Sequence, residues 1–189
     1  TGVQTCALPI YQGGKVGVFR RPSAGGDWQH VLGSVEAYTV FVHPGDANTV
    51  FAGTSDGVWR STDAGATFTR TNFPDANRQV WSFLVDCRDS RRLFAGASPI
   101  DVYRSDDGGA SWRKLATPRI GAHCSGPFAP RVMRLAQNPK QPDEIYAALE
   151  INGVMRSTDS GETWTDCSDG LIKLAERPHL KSQIVGDTT

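Results

Sequence analysis

The sequence predicts an all-β fold, a β-propeller of four-stranded antiparallel blades present as an incomplete arc of about four blades, and three observations carry that prediction. A box recurs: Ser61-Thr62-Asp63-Ala64-Gly65-Ala66-Thr67-Phe68 returns as Ser105-Asp106-Asp107-Gly108-Gly109-Ala110-Ser111-Trp112 and as Ser157-Thr158-Asp159-Ser160-Gly161-Glu162-Thr163-Trp164. Its glycines, Gly65, Gly109 and Gly161, stand 44 and 52 residues apart, the length of one blade. Upstream of each box runs an aromatic-Ala-(Gly/Ala) strand and then Val-x-Arg-Ser: Phe51 to Ser61, Phe94 to Ser105 and Tyr146 to Ser157. Finally, helical periodicity is hard to find, whereas β-branched and aromatic runs alternate with Gly, Pro, Asp and Asn turns.

Taken in order, residues 1–10 stand apart, because Thr-Gly-Val-Gln-Thr-Cys-Ala-Leu-Pro-Ile is what a widely used sequencing-adapter oligonucleotide encodes in frame. Residues 1–9 are expected to contribute no strand. Residues 11–35 read as a partial blade: Tyr11 to Val18 covers the same positions as Phe51 to Val58, so its first strand would lie upstream. Its box is decayed, with Ser23 in the aspartate's place and Trp28 as the surviving aromatic. Residues 36–72 form the clearest blade, with strands expected at Tyr38 to His43, Thr49 to Thr54, Val58 to Ser61 and Thr67 to Arg70. A blade at 78–116, an inserted inter-blade loop at 117–131 and a blade at 132–168 follow. Residues 169–189 are expected to be an inter-blade loop or the start of a further blade. On this reading the chain is a fragment whose natural start, with any signal peptide, is not visible.

The box has its own physics. A carboxylate in the bend of a hairpin accepts hydrogen bonds from nearby backbone N–H groups, and the glycine after it takes backbone angles other residues resist. Ser61, Asp63, Gly65 and Phe68, Ser105, Asp107, Gly109 and Trp112, and Ser157, Asp159, Gly161 and Trp164 are therefore read as scaffold, since a catalytic group is seldom needed three times. The aromatics, with Trp28, are expected to be buried at equivalent places as wedges between blades.

These boxes resemble those of the BNR or Asp-box repeat β-propellers, which include sialidases, xyloglucan-type glycoside hydrolases and photosystem II assembly factor-like proteins. The resemblance covers nearly all of residues 11–170 and implies the propeller fold. It is shared by catalysts and non-catalysts, so it implies two functions: a binding or assembly scaffold of unknown ligand as the leading reading, and a glycoside hydrolase as the alternative. Phe19-Arg20-Arg21-Pro22 looks like a sialidase Arg motif, but it aligns with Trp59-Arg60, Tyr103-Arg104 and Met155-Arg156 and so belongs to the repeat.

Composition narrows the partners. Lys+Arg and Asp+Glu number 20 each, so bulk charge gives no support for a nucleic-acid partner. No apolar run approaches the ~20 residues of a membrane span. Apart from Cys6, the cysteines are Cys87, Cys124 and Cys167, an odd number without a C-x-x-C pair, so neither a metal nor a cofactor is expected. The odd count leans toward a reducing, cytoplasmic setting over a disulfide-built secreted one. Carbohydrate or protein remain as ligand classes.

Strand direction tells which loops can form a site. If the first strand of a blade runs away from the ligand face, the turns between second and third strands and the blade crossings lie on that face, and the boxes lie on the opposite one. Ligand-binding candidates are then Arg78 in one crossing, His123 and Arg131 in the eight-residue-longer second crossing, Arg134 on a first strand and Glu150 in a second-to-third-strand turn. Arg134 stands where the sibling blades carry Thr39 and Ser82. A hydrolase would need paired carboxylates about 5–10 Å apart, and the candidates on this face are Asp56, Asp101 and Glu150.

Overall fold

The computed structural model describes residues 10–22, 26–118, 129–151, 153–170 and 173. A three-stranded sheet comes first, with β1 (Ile10–Gly14), β2 (Gly17–Arg21) and β3 (Gln29–Leu32) in order. Three four-stranded sheets follow, each in chain order and antiparallel throughout. The second blade holds β4 (Ala37–Val42), β5 (Val50–Thr54), β6 (Gly57–Ser61) and β7 (Thr69–Arg70). The third holds β8 (Gln79–Val85), β9 (Leu93–Ser98), β10 (Asp101–Ser105) and β11 (Arg113–Lys114). The fourth holds β12 (Val132–Asn138), β13 (Gln141–Leu149), β14 (Val154–Ser157) and β15 (Thr165–Asp166). The fourth strand is shorter than the sequence suggests, because Thr67 serves the box turn instead of pairing. Asp169 and Gly170 begin a helical turn, and apart from Lys173 the rest of 171–189 lies outside the described residues, as do residues 1–9.

Each blade is stabilised by its neighbours. One apolar cluster joins the second and third blades through Phe51, Val58, Val80, Phe83, Leu93, Tyr103 and Trp112. Another joins the third and fourth through Phe94, Val102, Val132, Leu135, Ile145 and Met155, and a smaller one joins the first and second through Val18, Leu32, Ala37 and Ala52. Small residues let the blades close on each other: a Cβ at Gly53 would lie 2.5 Å from the Val80 carbonyl oxygen, and one at Gly96 would lie 2.5 Å from Val132.

The boxes fold identically. In each, the serine hydroxyl donates to the aspartate (Ser61 to Asp63 2.7 Å, Ser105 to Asp107 2.8 Å, Ser157 to Asp159 2.8 Å) and accepts the glycine N–H at 2.8 Å. The same carboxylate accepts the backbone N–H and hydroxyl of Thr67, Ser111 or Thr163. The box glycine also touches the preceding blade, since a Cβ on Gly109 would fall 2.3 Å from the Phe51 ring and one on Gly161 2.6 Å from Leu115.

The aromatics correct one expectation. Trp112 is 6% exposed, set between Phe73 and Phe83, and Phe68 and Trp164 are half-buried, but Trp28 is 44% exposed. The box aromatic faces the blade before its own, and among the described residues no blade precedes the sheet that carries Trp28.

Candidate functional site

The first strands β4, β8 and β12 approach one another, and each carries an extra residue at one place. The register slips between Ala37 and Thr39, between Val80 and Ser82, and between Val132 and Arg134, so Tyr38, Trp81 and Met133 are β-bulge residues at equivalent positions. A bulge re-aims a side chain that a regular ladder would fix. The Tyr38 and Trp81 rings stack with centroids 4.3 Å apart and planes 18° apart.

Two residues before each bulge stands a polar side chain: Glu36, Gln79 and Arg131. The first two serve their own blade's aromatic. The Tyr38 hydroxyl donates to Glu36 Oε2 at 2.9 Å, and Trp81 Nε1 donates to Gln79 Oε1 at 3.3 Å. Arg131 departs from that pattern, because its bulge neighbour Met133 offers no such group. Its guanidinium lies over the Trp81 ring, 4.1 Å from the centroid, and its Nε forms an ion pair with Glu150 at 2.5 Å. The Trp81 indole is thus held between a ring from the blade before it and a cation from the blade after it. Burial, reinforced by the Glu36 carboxylate, pushes the Tyr38 phenol up to about 12, so it stays a donor.

A groove of about 490 Å³ opens along this stack, lined by Glu36, Tyr38, Asn77, Gln79, Trp81 and Arg131, with Ser98, Pro99 and Ala129 completing its wall. Its lining comes from first strands, blade crossings and the turn between β9 and β10. The boxes contribute nothing to it.

Among the candidate residues, Arg131 lines the groove and Glu150 holds Arg131. Arg78 lies beside it but is engaged: Nε donates to Asp75 at 2.8 Å and Nη2 pairs with Asp101 at 3.1 Å. Arg134 is an exposed residue on β12, outside the groove lining. His123 lies outside the described residues. The carboxylates differ as sharply. Asp101, 2% exposed, is held by Arg78, by Lys114 at 2.9 Å and by the Thr117 hydroxyl at 2.6 Å. Asp56 accepts Thr54 Oγ1 at 2.7 Å and Trp59 Nε1 at 2.9 Å as a turn clamp. Among the described residues, no group of three or more His, Cys, Asp or Glu side chains is arranged to hold a metal ion.

Sequence reasoning missed Glu36, Tyr38 and Trp81. The signal was present as an aromatic preceding Thr39 and Ser82, but a ring at a strand start reads as core until the bulge is seen.

No family model matches the chain. Over 79 residues it is 34% identical to a xyloglucanase of Hypocrea jecorina (strain QM6a), covering 40% of this chain and 9% of that protein. Over 131 residues it is 30% identical to a xyloglucanase of Paenibacillus sp, covering 57% of this chain and 13% of the relative. Among solved structures, an ancestral GH74 enzyme superposes with a TM-score of 0.68 at 22% identity, covering 84% of this chain and 22% of that one. The Niastella koreensis GH74 enzyme gives 0.63 at 19% identity over 85% and 28%. YCF48 bound to D1 peptide gives 0.53 at 14% identity over 72% and 41%. The chain therefore spans a small part of each enzyme it resembles. It has the fold of an incomplete β-propeller, and in sequence it is similar to the two xyloglucanases.

Proposed function

We propose that this chain is a section of an Asp-box propeller of the xyloglucanase type, and that its groove binds part of a polysaccharide chain. This reverses the order of the two functions implied by the sequence, since the glycoside hydrolase has the better support. The observation that carries it is the Tyr38–Trp81 stack at first-strand bulges, beside polar groups that can accept and donate. Pyranose rings present an apolar C–H face to an aromatic ring and hydroxyls at their rim, and a groove with flat rings and a few placed polar groups suits both. Sequence similarity to two xyloglucanases supports the same ligand class.

A second reading, a binding scaffold without hydrolytic chemistry, is favoured by the engagement of Asp56 and Asp101 in turn and ion-pair contacts. Within this chain we assign the groove to binding alone. The test is titration of the 189-residue chain with xyloglucan oligosaccharides by calorimetry, with Trp81→Ala as the variant and circular dichroism to check its fold. Loss of affinity by tenfold or more is expected. Unchanged affinity in a folded variant would reject the groove.

A further inference from the structure

Of the three equivalent residues before the first-strand bulges, two hold their own blade's ring and one reaches backward. Arg131 lies over Trp81, a ring of the preceding blade, and Glu150 grips it from the turn between β13 and β14. The Glu150 backbone N–H also donates to the Arg131 carbonyl at 3.0 Å, so the two residues are tied together by main chain and side chain. Tyr38 covers the indole from the other blade. A ligand ring that stacks on Trp81 from the fourth-blade side meets the guanidinium first.

We infer that Arg131 is a self-capping side chain: it occupies the Trp81 face in the free protein, and a stacking ligand must displace it. The inference rests on the sugar-binding reading of the groove, and it assigns Arg131 the opposite role from a ligand-gripping arginine. Cation–π contact with tryptophan is favourable, so every stacking ligand competes with it. Short oligosaccharides, whose binding depends on one stacked ring, lose most. A long chain that also meets Asn77, Gln79 and Glu36 along the groove loses a smaller share. Arg131 thereby selects for ligand length, and Glu150 sets how firmly the cap sits.

Two measurements on the 189-residue chain separate this from the reading beneath it. Without ligand, Arg131→Ala should raise acrylamide quenching of the Trp81 component, obtained by difference from Trp81→Phe in each background. No rise would overturn the cap whatever the protein binds. With a xyloglucan heptasaccharide, Arg131→Ala should tighten binding by about 2- to 30-fold, the range a lost cation–π competitor allows. Polymeric xyloglucan should gain less, and Glu150→Gln should move affinity in the same direction by a smaller factor. Weaker or unchanged heptasaccharide binding in Arg131→Ala, with Trp81→Ala still abolishing it, would refute the cap while leaving the groove intact. Undiminished binding in Trp81→Ala would remove the groove reading itself.

Discussion

Gly108 and Gly109 are adjacent, both lie at positive φ (+72° and +83°), and both sit in one box, yet alanine at the two positions should have unequal effects. An L-residue in the left-handed region costs about 1–2 kcal/mol, and that term is common to both. At Gly108 the nearest heavy atom to an added methyl is Arg60 Nη2 at 3.9 Å, an ordinary contact with the end of a flexible side chain. At Gly109 the methyl would stand 2.3 Å from Phe51 Cε1 and 2.8 Å from Cζ. Relief needs a shift of about 1.2–1.7 Å to reach van der Waals separation. Phe51 is fully buried and packed on Phe83, with ring centroids 5.7 Å apart, so it has little room to yield. Overpacking of this kind costs about 1–3 kcal/mol. Gly108→Ala should therefore destabilise by about 1–2 kcal/mol and Gly109→Ala by about 2–5 kcal/mol. Urea unfolding followed by tryptophan fluorescence reads the difference as a lower midpoint at similar slope. Equal midpoints would show that the box glycine is required only for its own turn and that the seam between the second and third blades does not constrain it.

The box carboxylates allow two further predictions. Asp107→Ala removes the acceptor of the buried Ser105 hydroxyl and of two exposed Ser111 donors, so stability should fall by about 2 kcal/mol while affinity per folded molecule stays unchanged; lost binding at wild-type stability would contradict the scaffold assignment. Hydrogen bonds from Thr67 and Ser61 hold Asp63 down at about 2, and at Asp107 burial acts upward but the Ser111 and Ser105 hydrogen bonds outweigh it, again giving about 2; Asp159 is lowered by the same arrangement. Because these folded-state values lie below the ordinary 3.8, the stabilisation is complete above about pH 5 and disappears as pH falls toward 2. Acid titration by circular dichroism should show an unfolding limb in that window, shallower in the Asp63→Asn, Asp107→Asn, Asp159→Asn triple variant; an identical limb would mean other carboxylates control it.

The fold was legible because its determinants are local and repeated. Ser-x-Asp-x-Gly closes a turn by hydrogen bonds within five residues, and the Val-x-Arg-Ser strand before it is recognisable without any tertiary knowledge. The candidate site was half legible. Strand direction pointed to the face on which the groove opens and to Arg131 and Glu150 there, because charged residues in crossings and turns stand out from turn formers. Tyr38 and Trp81 did not stand out, since a bulge is a property of pairing between two strands and leaves no mark in either one alone. The ion pairs of Arg78 were hidden for the complementary reason: its partners Asp75 and Asp101 are three and 23 residues away, and only the fold reveals that both reach it.

The blade therefore divides its duties along the strand. At one end the box must be invariant in shape, because its glycine sits against the preceding blade and any change propagates into a shared core. At the other end the bulge residue leaves the ladder, and it and the side chain two places before it differ from blade to blade. Glu36 with Tyr38, Gln79 with Trp81 and Arg131 with Met133 are three solutions at one structural position, two of them closed within a blade and the third reaching across a seam. Repetition supplies the scaffold, and departure from repetition identifies where ligand recognition can reside. By that criterion Arg131 is the most informative residue of the groove, since of the three side chains that stand two places before a bulge it is the one that reaches the ring of another blade.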